Sequence, residues 1–313
     1  MSFSLEVKNE LSRLEEIQPC CKISEMAGIL RAGLSMRSGE GTKGILFVTE
    51  NSPLSRRLFA EVKALYANAP DVKMLKTKRF RSHAVYRLDF TAIASDRRLT
   101  FLEDMGIGLI EGNTGLSYIP YPLKTRCCKR AYLRGCFLAT GSISDPDRSY
   151  HLEITFPNKS LAEEAMHFLK DFGIESRQII RKGHFLIYLK EGQEIVDFLN
   201  VVGAHTALMN LENIRIVKDM RNQVNRIVNC ETANLEKTVN ASLRQVENIR
   251  RIKDHIGLES LPEGLYHIAR LRLENPDVSL IELGKMLNPP LSKSGVNHRL
   301  RKIDRIAEDT FKR

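Results

Sequence analysis

Residues 127–145 read CCKRAYLRGCFLATGSISD, and 107 positions earlier residues 20–38 read CCKISEMAGILRAGLSMRS. Overlaid without a gap, Cys127, Cys128 and Lys129 fall on Cys20, Cys21 and Lys22, Gly135 on Gly28, Ala139 on Ala32 and Ser142 on Ser35. Six identities in one ungapped segment mark an internal duplication, the first thing to look for in a chain of unknown fold. The flanks agree. A strand-like run follows each copy, at 44–49 and 151–156, then a polar start and a helical pattern at 51–65 and 158–172. Two short strands come next, 72–76 with 84–90 and 176–180 with 185–189, and each copy closes on a helix ending Phe-Leu-x-x-x-Gly, at 101–106 and 198–203. The expected unit is α-β-α-β-β-α used twice, over about 20–106 and 127–203, within an α+β domain of residues 1–210. Ala27, Gly28, Ala32 and Gly33 in one leading helix, with Gly135 and Ala139 in the other, let two helix backbones approach closely. The two copies are expected to pack along these helices.

The segments MAGILRAGL (26–34) and LRGCFLATG (133–141) resemble two worn copies of the LAGLIDADG motif of homing endonucleases. The resemblance implies a pseudo-symmetric domain whose two sheets form a saddle on DNA. In that family the penultimate Asp of each motif holds the metal. Here those positions are Gly33 and Thr140, neither a charged ligand for a hard cation. The resemblance therefore implies the scaffold without a catalytic residue and without a metal or other cofactor.

The net charge of +10 and pI near 9.3 favour anionic partners, double-stranded DNA first. The opening MSFSLEVKNELSRLEE has no apolar core of a signal peptide, and no run approaches the ~18 apolar residues of a membrane helix. A cytoplasmic, nucleoid-associated protein is expected, with no membrane partner. Six cysteines there argue against a disulfide framework. The pairs Cys20-Cys21 and Cys127-Cys128 head the two leading helices, so helices packed side by side would bring four thiols near one another. Their spacing is not that of a zinc ribbon or finger, and packing is the expected role. Basic residues gather at each hairpin: Lys76, Lys78, Arg79 and Arg81, then Arg177, Arg181 and Lys182, with His83 and His184 at matching places. They suit a groove that tracks a nucleic-acid backbone, though hairpin tips also carry charge to discourage edge pairing.

From residue 211 the composition turns Asn-rich, and 211–235 reads as a linker, helical in period, with Asn222, Asn225, Arg226 and Asn229 on one stripe. The run NRIVNCETANLEKT (225–238) resembles the junction signature of the WhiA family, regulators of sporulation and cell division. That family joins a degenerate LAGLIDADG-like domain to a C-terminal helix-turn-helix, so the resemblance covers nearly the whole chain.

The remainder, 236–313, reads as an all-α helix-turn-helix domain. Ser279 and Glu282 have the spacing of a capping box that opens a helix with Leu280, Leu283 and Leu287 inward. Asn288-Pro289-Pro290 ends it, and Ser292 or Ser294 starts the next, with Val296, Leu300 and Ile303 inward. Six Lys/Arg against two acids between 279 and 305 place +4 of the net charge there. Lys293, Ser294, Asn297, His298, Arg301 and Arg305 are the expected DNA-binding residues, types that reach phosphates and base edges. The expected function is sequence-specific DNA binding that regulates transcription. The resemblance to WhiA implies genes of sporulation, cell division and chromosome segregation, with other regulatory or cell-division proteins as further partners. An active LAGLIDADG endonuclease is the rival, disfavoured by the missing acids. A first domain that senses a small ligand is a third reading.

Overall fold

The computed structural model describes residues 2–15, 18–39, 42–76, 84–95, 100–110, 115–121 and 123–311. Two compact units divide the chain, Met1–Lys218 and Asp219–Arg313. In chain order the first begins with α1 (Phe3–Leu11) and α2 (Pro19–Gly33), then β1 (Leu34–Gly39), β2 (Thr42–Thr49), α3 (Ser52–Tyr66), β3 (Asp71–Lys76), β4 (Ala84–Asp89), α4 (Thr91–Ser95) and α5 (Phe101–Asp104). A small hairpin, β5 (Ile107–Leu109) and β6 (Leu116–Tyr118), leads to the second copy. That copy comprises α6 (Arg126–Thr140), β7 (Gly141–Ile143), β8 (Leu152–Phe156), α7 (Lys159–Lys170), β9 (Arg177–Arg181), β10 (His184–Leu189) and α8 (Gly192–Val202).

Among the described residues, the strands form two antiparallel four-stranded sheets of matching order, β1-β2-β4-β3 and β7-β8-β10-β9. The duplication is visible residue by residue. Both leading helices keep the 107-residue offset at each end, and α3 and α7 start 107 apart. Even the caps repeat: Leu54 N donates to Asn51 Oδ1 at 2.8 Å, and Leu161 N to Asn158 Oδ1 at 3.0 Å.

The unit differs from the sequence expectation in one respect. A strand follows each leading helix directly, β1 after α2 and β7 after α6, so each repeat is α-β-β-α-β-β-α without the extra turn of α4. LSMRSG and GSI carry little strand propensity of their own; pairing with β2 and β8 supplies it.

Helices α2 and α6 run together through the middle of the core. From Ser24 to Ala32 every residue of α2 is buried, the pattern of a helix enclosed on all sides. The glycines set the spacing. A Cβ on Gly28 would stand 2.2 Å from the Tyr132 carbonyl oxygen, and one on Gly135 would stand 2.1 Å from that of Glu25. Each glycine thus seats against the other helix's backbone, as expected from the small-residue pattern.

This seam is buried but not apolar. Glu25 is fully buried on α2, paired with Arg57 at 2.9 Å and with Arg134 of α6 at 2.5 Å. Burial pushes its carboxyl up, and the two guanidinium groups pull it back. Arg31, also buried, donates to both Glu164 oxygens at 2.9 and 3.1 Å, to the carbonyls of Gly106 and Ile119 and to Tyr132 Oη. One side chain thereby ties α2 to α6, to α7 and to the β5–β6 hairpin.

Beyond α8, one helix of 51 residues, α9 (His205–His255), passes from the first unit into the second. The expected linker 211–235 is helical throughout. A 3₁₀ turn (Leu258–Ser260) precedes α10 (Glu263–Glu274), α11 (Leu280–Lys285) and α12 (Lys293–Phe311). The second unit has its own core, including Ile249, Ile252, Leu265, Ile268, Leu283, Val296, Leu300 and Ile303.

Candidate nucleic-acid interface

The helix-turn-helix is built from its caps inward. Ser279 Oγ accepts from Glu282 N, and the Glu282 carboxylate accepts from Ser279 N and from Ser279 Oγ, the capping box read from the sequence. Those hydrogen bonds hold the Glu282 carboxyl below the usual carboxylate range. The turn then folds back on α11. Leu291 N donates to the Gly284 carbonyl at 2.9 Å, and a Cβ on Gly284 would stand 2.3 Å from the Leu291 carbonyl oxygen. Only glycine admits that approach. Ser292, rather than Ser294, opens α12: its hydroxyl accepts from Gly295 N at 3.3 Å. Val296, Leu300, Ile303 and Ala307 face the core, all buried as their spacing predicts.

With that face inward, Lys293, Ser294, His298, Arg301 and Arg305 are exposed and Asn297 is half-buried. Lys293, Asn297, Arg301 and Arg305 recur every fourth residue, a stripe about 18 Å long at 1.5 Å per residue. Exposed Lys302, one turn beyond His298, adds positive charge beside it. Arg299 does not: its Nη1 donates to the Gly264 carbonyl at 3.0 Å, so this cation braces α12 against α10. The framework behind the stripe is held by buried and half-buried polar groups. Arg272 donates twice to Gln245 Oε1 of α9, at 3.0 and 3.1 Å, and to the Val278 carbonyl at 2.6 Å. Asn248 Nδ2 donates to Asp304 Oδ1 at 2.8 Å.

In the first unit, the feet of α2 and α6 carry the residues where a homing endonuclease places its acids. Gly33 ends α2, and a Cβ there would lie 2.5 Å from the buried Phe47 ring. Thr140 ends α6, and its hydroxyl donates to the Thr155 carbonyl at 2.7 Å. One foot is filled by a ring and the other by a hydroxyl engaged with the sheet. Of the expected hairpin cations, Arg177, Arg181 and Lys182 are exposed on β9 and its turn. Lys182 and Gly183 both have positive φ, the signature of a tight two-residue hairpin. Lys78, Arg79, Arg81 and His83 lie outside the described residues, and Lys76 ends β3.

Three family models match consecutive stretches of the chain. They are the WhiA N-terminal LAGLIDADG-like domain at residues 19–107, the WhiA LAGLIDADG-like domain at 129–221 and the WhiA C-terminal HTH domain at 224–307. A relative named probable cell division protein WhiA, from Ruminiclostridium cellulolyticum, is 48% identical over 310 residues, covering 98% of this chain and 97% of its own. The chain belongs to the WhiA family. A second WhiA relative, from Alkaliphilus metalliredigens, is 46% identical over 312 residues, covering 98% of each chain. The crystal structure of full-length DUF199/WhiA from Thermatoga maritima is similar at a TM-score of 0.58 and 29% identity, over 99% of each chain. The boundary between the second and third models, at 221–224, falls inside the continuous helix α9.

In this WhiA chain, sequence reasoning found the outward stripe of α12 but missed what supports it. Arg272, Gln245 and Asn248 look like ordinary surface residues of amphipathic helices. The burial of Arg272 and Gln245, and the pairing of half-buried Asn248 with Asp304, depend on how α9, α10 and α12 converge. It missed also an open groove of about 670 Å³ between α10 and the α11–α12 turn, lined among others by His267, Arg270, Asn288 and Arg299.

Proposed function

We propose that this WhiA chain is a sequence-specific DNA-binding regulator of transcription that acts in cell division, with sporulation and chromosome-segregation genes among its targets. It works in the cytoplasm, on the nucleoid. The observation that carries this reading is the stripe Lys293, Asn297, Arg301 and Arg305 on the solvent face of a helix whose other face is locked by a capped helix and a glycine-tight turn. A helix presented in that way enters the major groove with its N-terminal half. Asn and Arg one turn apart offer paired hydrogen-bonding groups to adenine and guanine edges. The naming of the relatives as cell division proteins supports the biological setting.

In this reading the duplicated domain is a non-cleaving scaffold, presenting its sheets to DNA or to other regulatory or cell-division proteins. The endonuclease alternative lacks its acids, and Phe47 fills one of the places they would occupy. The test is competition binding of the full chain to a footprinted site and to random duplex. Loss of site preference in Asn297→Ala and Arg301→Ala supports the reading. If both variants keep affinity and preference while Arg177→Ala with Arg181→Ala abolishes binding, the hairpins hold the DNA and the assignment of α12 fails.

A further inference from the structure

At the end of the α2–α6 pair opposite Gly33 and Thr140, four cysteines converge. Cys20 and Cys21 are the second and third residues of α2, and Cys127 and Cys128 hold the same places on α6. Register packing brings the pairs together: the Sγ atoms of Cys20, Cys21 and Cys128 all lie within 4.8 Å of one another. Cys127, the next residue to Cys128, donates from its Sγ to Thr125 Oγ1 at 3.3 Å. Cys21 and Cys128 are buried with Ala131 beneath Leu123, whereas Cys20 and Cys127 are exposed. The arrangement has a buried floor and an exposed mouth. No disulfide links cysteines among the described residues.

We propose that these four cysteines form a tetrathiolate site for one thiophilic divalent cation, zinc by the chemistry of its donors, stapling the two repeats together. Tetrahedral zinc with Zn–S near 2.3 Å sets sulfurs about 3.8 Å apart, so Cys20, Cys21 and Cys128 close from within 4.8 Å by about 1 Å, and Cys127, exposed at the mouth, turns in as the fourth ligand. Two helix N-termini point at the cluster, and neither helix has a side-chain cap accepting from its first-turn amides. The positive dipole ends of the two helices favour thiolates. Lys22 and Arg126 add positive charge within the same first turns. Further along both helices the seam is held by backbone approach at Gly28 and Gly135, by the Glu25–Arg134 pair and by Arg31 on Tyr132. A metal at the N-terminal ends closes the part that these contacts do not reach.

Full-length protein purified under reductant without chelator is expected to carry about one zinc per chain by elemental analysis. Replacement by cobalt should produce the sulfur-to-metal charge-transfer and visible bands of a tetrahedral thiolate site. Cys20→Ser and Cys127→Ser, at exposed positions that leave the core intact, should each weaken zinc at least about tenfold against a chromophoric chelator. Cys230→Ser, on exposed α9, should leave stoichiometry unchanged. Removing zinc should lower the Tm of the parent but not of the Cys20→Ser, Cys127→Ser double variant. The proposal is overturned if reduced, folded parent protein offered excess zinc retains none after desalting, or if the double variant retains as much as the parent. It is equally overturned if the reduced parent binds no metal and mild oxidation removes these four thiols as disulfides. DNA affinity enters none of these readouts.

Discussion

At the scale of single residues, the proposed reading gives Arg301 and Arg305 two different contacts. Both are exposed on α12, one turn apart. Arg301 is nearer the end proposed to enter the groove, so Arg301→Ala should cost about 1–3 kcal/mol of specific binding and relax preference at one base position. Arg305→Ala should weaken specific and random duplexes alike and reduce the salt slope by about one unit. Binding isotherms at several salt concentrations distinguish these outcomes. Lys8 is a residue-scale feature of stability. It packs over the Phe137 ring, 5.9 Å from its centre, and burial pulls its pKa from 10.5 down to about 8, with Glu50 partly opposing. Below pH 8 the folded and unfolded chains both hold the proton, and the buried charge costs stability. Between 8 and 10.5 only the unfolded chain holds it, so stability rises with pH. Lys8→Met should therefore stabilise the protein at pH 7 by about 2 kcal/mol and flatten that rise, as read by denaturant midpoints at pH 7 and pH 10.

At the scale of elements, four glycines divide by what a methyl group would meet. Gly28 and Gly135 face backbone across the α2–α6 seam, and backbone does not swing aside as a flexible side chain does. Gly28→Ala or Gly135→Ala should separate the helices and cost about 1–3 kcal/mol of unfolding stability. The helix-turn-helix offers an internal contrast. Gly284→Ala would press on the Leu291 carbonyl and should loosen the turn, lowering both stability and DNA affinity. Gly295→Ala meets nothing nearer than 3.6 Å within α12, where Ala should gain up to about 1 kcal/mol from helix propensity. Thermal unfolding of the four variants beside the parent checks the order.

For the whole molecule, the two units have separate cores, and the repeat architecture persists although the feet of its paired helices hold Gly33 and Thr140. Metal-assisted hydrolysis of a phosphodiester needs carboxylates gathered around the cation. Supercoiled plasmid and a bound site should therefore remain intact with Mg²⁺ or Mn²⁺. The same should hold for Gly33→Asp with Thr140→Asp, because the Asp at 33 would have to displace the Phe47 ring. Gel analysis of plasmid topology reads both, and chelator-sensitive nicking that copurifies with the parent through every step would reverse the conclusion.

What the sequence by itself determined is whatever depends on neighbours along the chain. The duplication, the Asn51 and Asn158 caps, the Ser279–Glu282 box and the inward set Val296, Leu300 and Ile303 all follow from spacing within a turn or two of helix, or from one constant offset. The outward stripe of α12 follows too, because fixing one face of a helix fixes the other. Tertiary structure alone decided the rest. The Arg31–Glu164 and Glu25–Arg134 pairs join residues 133 and 109 positions apart, and no local pattern distinguishes a buried Arg from a solvated one. The strands β1 and β7 exist because β2 and β8 accept them. Phe47 reads as an ordinary strand residue until the end of α2 is placed against it. The cysteine pairs were legible as pairs, but their spacing matched no metal motif. Only two helices packed in register, glycine against backbone, bring thiols from both repeats to one point.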